Sequence, residues 1–146
     1  MATFLYTKAA ESFLDGSTGH LSWSGDTIKL VLVKAAYTPV QATDQFRSII
    51  TAANELTGGV SVAFTGKTVT DGVADAADVT LTAVPASQVA QGFVIFQDTG
   101  VSATSRLIMY ADSTKYTGLP LNTSGADVVI TWDNGANKIF HHASTC

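Results

Sequence analysis

The sequence predicts a mainly β protein, an antiparallel β-sandwich or barrel with one or two short helices. Three observations support this class. Apolar and polar residues alternate with a period of two in several short segments. Turn-forming residues separate those segments. Long helices do not alternate with the strands, which argues against a parallel α/β sheet. The 146 residues fit a single β-rich domain, 1–146, that is large enough to bury its own core.

Two short helices are predicted in the first third of the chain. The first has Thr7 as its cap and Gly16 at its end, with an apolar face made by Ala9, Ala10, Phe13 and Leu14. Nine or so residues do not form a stable helix alone, so this helix must pack on its own sheet or on a neighbouring subunit. The second is predicted at 43–53, with Thr43 or Asp44 as its cap and an apolar face of Phe46, Ile49 and Ile50.

Seven strands are predicted, at 27–33, 60–64, 79–84, 89–96, 106–111, 127–132 and 137–141. The last four are expected to form two hairpins, the first from 89–96 and 106–111 and the second from 127–132 and 137–141. The final hairpin, 127–132 with 137–141, has the clearest signal. Asn134 and Gly135 lie between its strands, and they tolerate the positive φ that tight hairpins require.

Composition and charge narrow the classes of partner. The charged fraction is 14%, whereas an ordinary globular domain has about 25%, and a low charge suits surfaces that a neighbour covers. The 8 lysines and arginines are scattered singly, so no nucleic-acid partner is expected. No apolar run approaches the ~20 residues of a membrane span, and no membrane partner is expected. The N-terminus lacks the pattern of a signal peptide, which predicts synthesis in a cytosol without export by the usual route.

Motifs that suggest chemistry fail on spacing. The Gly-Lys-Thr at 66–68 lacks the first glycine of a phosphate-binding loop, because that position is Ser61. The carboxylates at 71, 75 and 78 lack the glycine and closing glutamate of a calcium loop. Adjacent His141 and His142 would point to opposite faces of a strand, one inward and one outward, and would not share a metal. We therefore expect no catalytic residue, no cofactor, no metal and no small-molecule substrate, and the protein is not predicted to be an enzyme.

The candidate interface residues lie at the two ends of the chain: Phe4, Leu5, Tyr6, Phe140, His141, His142 and Cys146. The first three are apolar residues at an end that would otherwise be solvated. The alternative for Phe4 and Leu5 is that they fold back on their own core. Cys146 is the single cysteine, so an internal disulfide is impossible. It could cross-link subunits or be an inert thiol.

Four aromatic residues admit two interpretations: Trp23, Tyr37, Tyr116 and Trp132. They could form a platform on which a sugar stacks, or they could anchor the core or an interface, which is the more common role in β domains. The sugar platform predicts that Trp23 or Trp132 is exposed.

Six segments carry a resemblance to a known group: SGDTIK at 24–29, YTP at 37–39, ATDQF at 42–46, GKTVTDGV at 66–73, ATSRLI at 103–108 and WDNGANKIF at 132–140. Together they resemble small virion structural (hypothetical) proteins of tailed bacteriophages, over about residues 6–140. The last segment is the most specific. Residues 141–146 extend beyond the expected end of such a chain and could form a contact specific to its particle.

The resemblance implies a virion location after synthesis in the host cytoplasm, with no enzyme activity. We expect a homo-oligomeric capsid decoration or cement protein that bridges capsid subunits on the outer head surface. Its partners would be the major capsid protein and copies of itself, met through apolar burial and pairing of strand edges. The alternatives are a tail, collar or head-fibre component, and a carbohydrate- or receptor-binding module of the particle.

Overall fold

The protein is mainly β, as predicted, with antiparallel sheets that do not close into a barrel and fit a sandwich-like arrangement. The computed structural model describes residues 3–17 and 20–142. Its elements, in chain order, are β1 (Phe4–Leu5), α1 (Thr7–Asp15), β2 (Ile28–Val33), a 3₁₀ turn (Arg47–Ile49), β3 (Glu55–Val60), β4 (Thr68–Thr70), β5 (Val73–Asp75), β6 (Val79–Leu81), β7 (Val89–Ala90), β8 (Gly92–Gln97), β9 (Leu107–Ala111), β10 (Leu121–Asn122), β11 (Val128–Ile130) and β12 (Phe140–His141).

A five-stranded sheet in the order β1-β9-β8-β2-β3 forms the centre of the fold. Every residue of β8 and β9 is buried, and β2 is buried except for the half-buried Lys29. The predicted face of Ile28, Leu30 and Leu32 is therefore matched by an opposite face that is buried as well. Strands covered on both faces lie inside the molecule, so the other elements pack on either side of this sheet.

Three smaller sheets surround the central one, with the orders β12-β5-β4, β11-β6 and β10-β7. The predicted hairpin of 89–96 with 106–111 is confirmed, because β8 pairs with β9 in antiparallel register. The predicted hairpin of 127–132 with 137–141 is wrong. β11 pairs with β6, and β12 pairs with β5. Gly135 does not adopt a positive φ, and its N–H donates to the Asp133 carboxylate (3.0 Å), which makes a local turn instead.

The first predicted helix is confirmed as α1, which ends at Gly16 with φ of 65°. Thr7 is not its cap, because Tyr6 occupies that position and makes no side-chain capping bond. The helix turns Ala9 and Ser12 towards the core, whereas the predicted apolar residue Leu14 is 74% exposed.

The predicted helix at 43–53 is wrong, since the segment contains one 3₁₀ turn at Arg47–Ile49. The Asp44 carboxylate accepts from the Val40 N–H (2.9 Å), and Phe46 is extended and bridges to Arg106. A helix over 43–53 would break both of these contacts. The predicted strand at 60–64 lies instead at Glu55–Val60.

Among the described residues, no helix combines the length and the apolar character needed to cross a membrane.

Candidate functional site

The two tryptophans belong to the core. Trp23 and Trp132 are each 4% exposed, and their indole N–H groups donate to the carbonyls of Asp75 (3.0 Å) and Ala77 (2.9 Å). Both rings also contact Phe64, Trp23 edge-to-face and Trp132 at a tilt. The exposed aromatic face that a sugar platform requires is therefore absent at these two residues, and the interpretation as core anchors is confirmed.

Residues from both ends of the chain line one groove of about 500 Å³, which we call the terminal groove. Its lining consists of Thr3, Phe4, Leu5, Met109, Thr114, Lys115, Asn137, Ile139, Phe140 and His141. Four of the predicted interface residues thus meet there, two from β1 and two from β12. β1 lies at one edge of the central sheet. β12 lies at one edge of the three-stranded sheet β12-β5-β4, which we call the small sheet, so the groove runs between two sheet edges.

The N-terminal side of this groove is held by pairing with β9. Phe4 pairs with Tyr110 and Leu5 with Met109, and both residues are half-buried against the core. The alternative that Phe4 and Leu5 fold back on their own core is therefore correct, although part of each side chain still lines the groove. The Leu5 carbonyl accepts from the Gln41 side-chain amide (3.0 Å), which covers part of the β1 edge.

Tyr6 is not an interface residue, because it is fully buried. Its hydroxyl lies 2.8 Å from the Tyr37 hydroxyl, which donates to the buried Asp44 carboxylate (3.0 Å). Since Tyr37 has a single proton and gives it to Asp44, Tyr6 is the donor to Tyr37. Burial raises the pKa of both Tyr6 and Tyr37 well above their usual range. This chain of hydrogen bonds fixes the N-terminal segment to the 37–44 loop.

Lys115 holds the C-terminal side of the groove. Its ammonium group donates to the carbonyls of Lys138 (3.0 Å) and Ile139 (2.7 Å), the two residues before β12. Burial of the ammonium lowers the pKa of Lys115. A lone lysine in a polar stretch gives no sequence signal for this role, which depends on a contact between distant parts of the chain.

A second groove of about 440 Å³, the helix–sheet groove, lies between α1 and the small sheet. It is lined by Phe13, Leu14, Ser22, Trp23, Ser24, Val69, Gly72, Ala74, Phe140 and His142. The Phe140 ring contacts Phe13 (6.1 Å between centroids) and Trp23 (5.3 Å), and it also borders the terminal groove. Leu14 and Val69 are its most exposed apolar residues, at 74% and 56%. No pattern in the sequence predicts that Leu14 and Val69 line the same groove.

His141 and His142 are both exposed, so the expectation that one packs inward is wrong. Each lines a different groove. The His142 N–H donates to the Gly72 carbonyl (2.8 Å), which continues the pairing of β12 with β5. No group of three or more His, Cys, Asp or Glu side chains that could hold a metal occurs within 3–17 and 20–142. Cys146 lies outside the described residues.

We find no match to the chain among protein-family models, curated proteins or solved structures. The structure has two grooves bordered by sheet edges and joined at Phe140, with apolar side chains beside backbone edges. Such surfaces suit contact with another protein through packing and strand pairing.

Proposed function

We propose that the protein is a non-enzymatic structural component of a tailed-phage virion, most specifically a capsid decoration protein on the outer face of the head. Its partners would be the major capsid protein and copies of itself. Bridging two capsid subunits would stabilise the shell, because each bridge adds contacts that must break before the subunits separate.

The observation that carries the proposal is the meeting of both terminal segments at the terminal groove. Phe4 and Leu5 approach it from β1, and Phe140 and His141 from β12. The groove combines half-buried apolar side chains with polar groups at its rim, such as the exposed Asn137. A partly polar rim around apolar contacts is typical of interfaces between separately folded proteins. The sequence resemblance to tailed-phage structural proteins and the low charged fraction add support.

The proposal is tested by adding the purified protein to heads of the encoding phage from which the protein has been deleted. Co-sedimentation of heads and protein through a density cushion measures binding. We expect saturable binding with a fixed number of copies per head. Binding to purified tails but not to heads would contradict the decoration role and favour the tail or collar alternative. Failure to bind either would contradict the virion assignment.

A pair of variants locates the contact. Asn137→Glu and His141→Glu place negative charge in the terminal groove, and we expect each to weaken binding at least ~10-fold. Thr82→Glu is the matched control, because Thr82 is also exposed and lines neither groove. Equal binding by all three variants would exclude the terminal groove as the contact.

A further inference from the structure

β4 is an edge strand with exposed residues. It pairs with β5 on one side, and the order β12-β5-β4 leaves it at the end of the small sheet. Thr68, Val69 and Thr70 are all exposed, and Val69 is 56% exposed although it is apolar. Proteins commonly protect such edges with proline, bulges or inward-pointing charges, because a free edge is a template for pairing with another chain. β4 contains no proline, and its register with β5 is regular.

The hairpin geometry identifies the backbone groups on the free edge. β4 and β5 are joined by a two-residue turn at Asp71 and Gly72, whose φ values are 52° and 76°. A turn of this kind is closed by the hydrogen-bonded pair Thr70–Val73, and antiparallel pairs then alternate. Val69 and Ala74 are therefore a non-hydrogen-bonded pair. The N–H and C=O of Val69 consequently point away from β5, towards the free edge.

The sequence around Val69 is symmetric. Residues 66–72 read Gly-Lys-Thr-Val-Thr-Asp-Gly, so glycines lie three positions from Val69 on either side and threonines lie one position away. Two positions away, the residues are Lys67 before and Asp71 after. An antiparallel copy related by a two-fold axis through Val69 would thus bring each Lys67, just before β4, close to Asp71 of the other copy, the turn residue just after β4.

We propose that β4 pairs with β4 of a second copy of this chain, in antiparallel register about a two-fold axis at Val69. The pair Val69–Val69 would form two backbone hydrogen bonds, because both outward groups of each valine face the axis. The two small sheets would then form one six-stranded sheet in the order β12-β5-β4-β4-β5-β12. This is an isologous interface, in which the same surface is used on both copies.

Charge and packing both favour this register. Each copy supplies one Lys67 and one Asp71, so the dimer gains two pairs of opposite charges beside the axis. Lys67 donates one proton to the carbonyl of Asp26 in its own chain and has two more to offer. A register centred on Thr68 or Thr70 would instead set Val69 opposite Lys67 or Asp71. The Val69 side chain lies in the helix–sheet groove with Leu14, so pairing also brings exposed apolar surface of the two copies together.

The β4 interface specifies the self-association that is part of the proposed function, and it can be measured on the isolated protein because it needs no particle. A strand of three residues makes a small interface, so we expect a dissociation constant in the micromolar range, about 1–100 μM. Copies held close together on a larger assembly would dimerise more readily, because their local concentration is higher.

The test is sedimentation equilibrium of the purified protein from about 1 to 300 μM, a range set by the expected dissociation constant. We expect the average mass to rise with concentration from the 15.2 kDa of the monomer towards twice that value. Val69→Lys places two lysines at the axis and should weaken dimerisation at least ~10-fold, since like charges directly opposite each other repel. Val129→Lys is the matched control. Val129 is also the middle residue of a three-residue strand and is 57% exposed, against 56% for Val69.

A charge exchange tests the register. Lys67→Asp alone would set like charges opposite each other and weaken dimerisation. Combining it with Asp71→Lys restores opposite charges and should recover most of the lost affinity, provided that circular dichroism shows a folded chain. A wild-type protein that stays monomeric up to 300 μM would overturn the proposal. So would a dimer that Val69→Lys and Val129→Lys weaken equally. Loss of head binding with intact dimerisation would contradict the proposed function and leave this inference standing.

Discussion

Replacing Tyr37 with phenylalanine should destabilise the protein more than replacing Tyr6, although each change removes one hydroxyl. Tyr37 donates to the Asp44 carboxylate and accepts from Tyr6, so Tyr37→Phe removes a charge-assisted bond and a neutral one. A bond to a charged group contributes about 1.5–3 kcal/mol and a neutral one about 1 kcal/mol. We expect a loss of roughly 3 kcal/mol in the free energy of unfolding for Tyr37→Phe and roughly 1 kcal/mol for Tyr6→Phe.

The double variant gives a sharper expectation. Once Tyr6→Phe has removed the donor hydroxyl, Tyr37→Phe no longer leaves it without a partner. The double variant should therefore lose roughly 3 kcal/mol, about 1 kcal/mol less than the sum of the single changes. Urea unfolding at pH 7, followed by the fluorescence of the buried Trp23 and Trp132, measures all four free energies. Equal losses for the two single variants, or strict additivity, would refute the assignment of Tyr37 as the central residue of the chain of hydrogen bonds.

Two further predictions concern stability. A Cβ on Gly92 would lie 2.4 Å from the Ala111 carbonyl oxygen in the paired strand. Gly92→Ala should therefore lose roughly 2–4 kcal/mol in urea unfolding. Gly118→Ala, where nothing lies within 4 Å, should change stability by less than about 1 kcal/mol. A hydrogen bond from Lys29 lowers the pKa of Asp98. Asp98→Asn should cost about 0.5–1 kcal/mol at pH 7, and the difference from wild type should disappear as the pH falls from about 4 through the lowered pKa. A difference that persists at pH 2 would contradict this assignment.

The parts of the fold that the sequence predicted correctly depend on local pattern. The β8–β9 hairpin joins neighbouring segments with strong apolar alternation, and α1 ends at a glycine that adopts the expected left-handed conformation. The predicted hairpin at 127–141 failed because its two strands pair with β6 and β5, which lie more than 40 residues earlier in the chain. The helical pattern at 43–53 failed because Asp44 and Phe46 make contacts with other segments that a helix would break.

The candidate site also combines features that the sequence predicts with features that depend on contacts between distant segments. The sequence singled out Phe4, Leu5, Phe140 and His141 by their positions near the chain ends, and the structure brings these four to one groove. The sequence pattern does not distinguish the buried Tyr6 from its partly exposed neighbours Phe4 and Leu5. Tyr6 is buried in the core, and its hydroxyl is satisfied by a partner 31 residues away, which is a property of the folded chain. The role of Lys115 is hidden for the same reason, since it bonds carbonyls 23 and 24 residues later.

The central proposal is a location on the phage head, and a cryo-EM map of the intact particle tests it most directly. The proposal predicts density for this chain arrayed over the icosahedral shell, with each copy touching two or more capsid subunits. Density confined to the neck, the tail or a spike would contradict the decoration role. Absence of the chain from the particle would contradict the virion assignment itself.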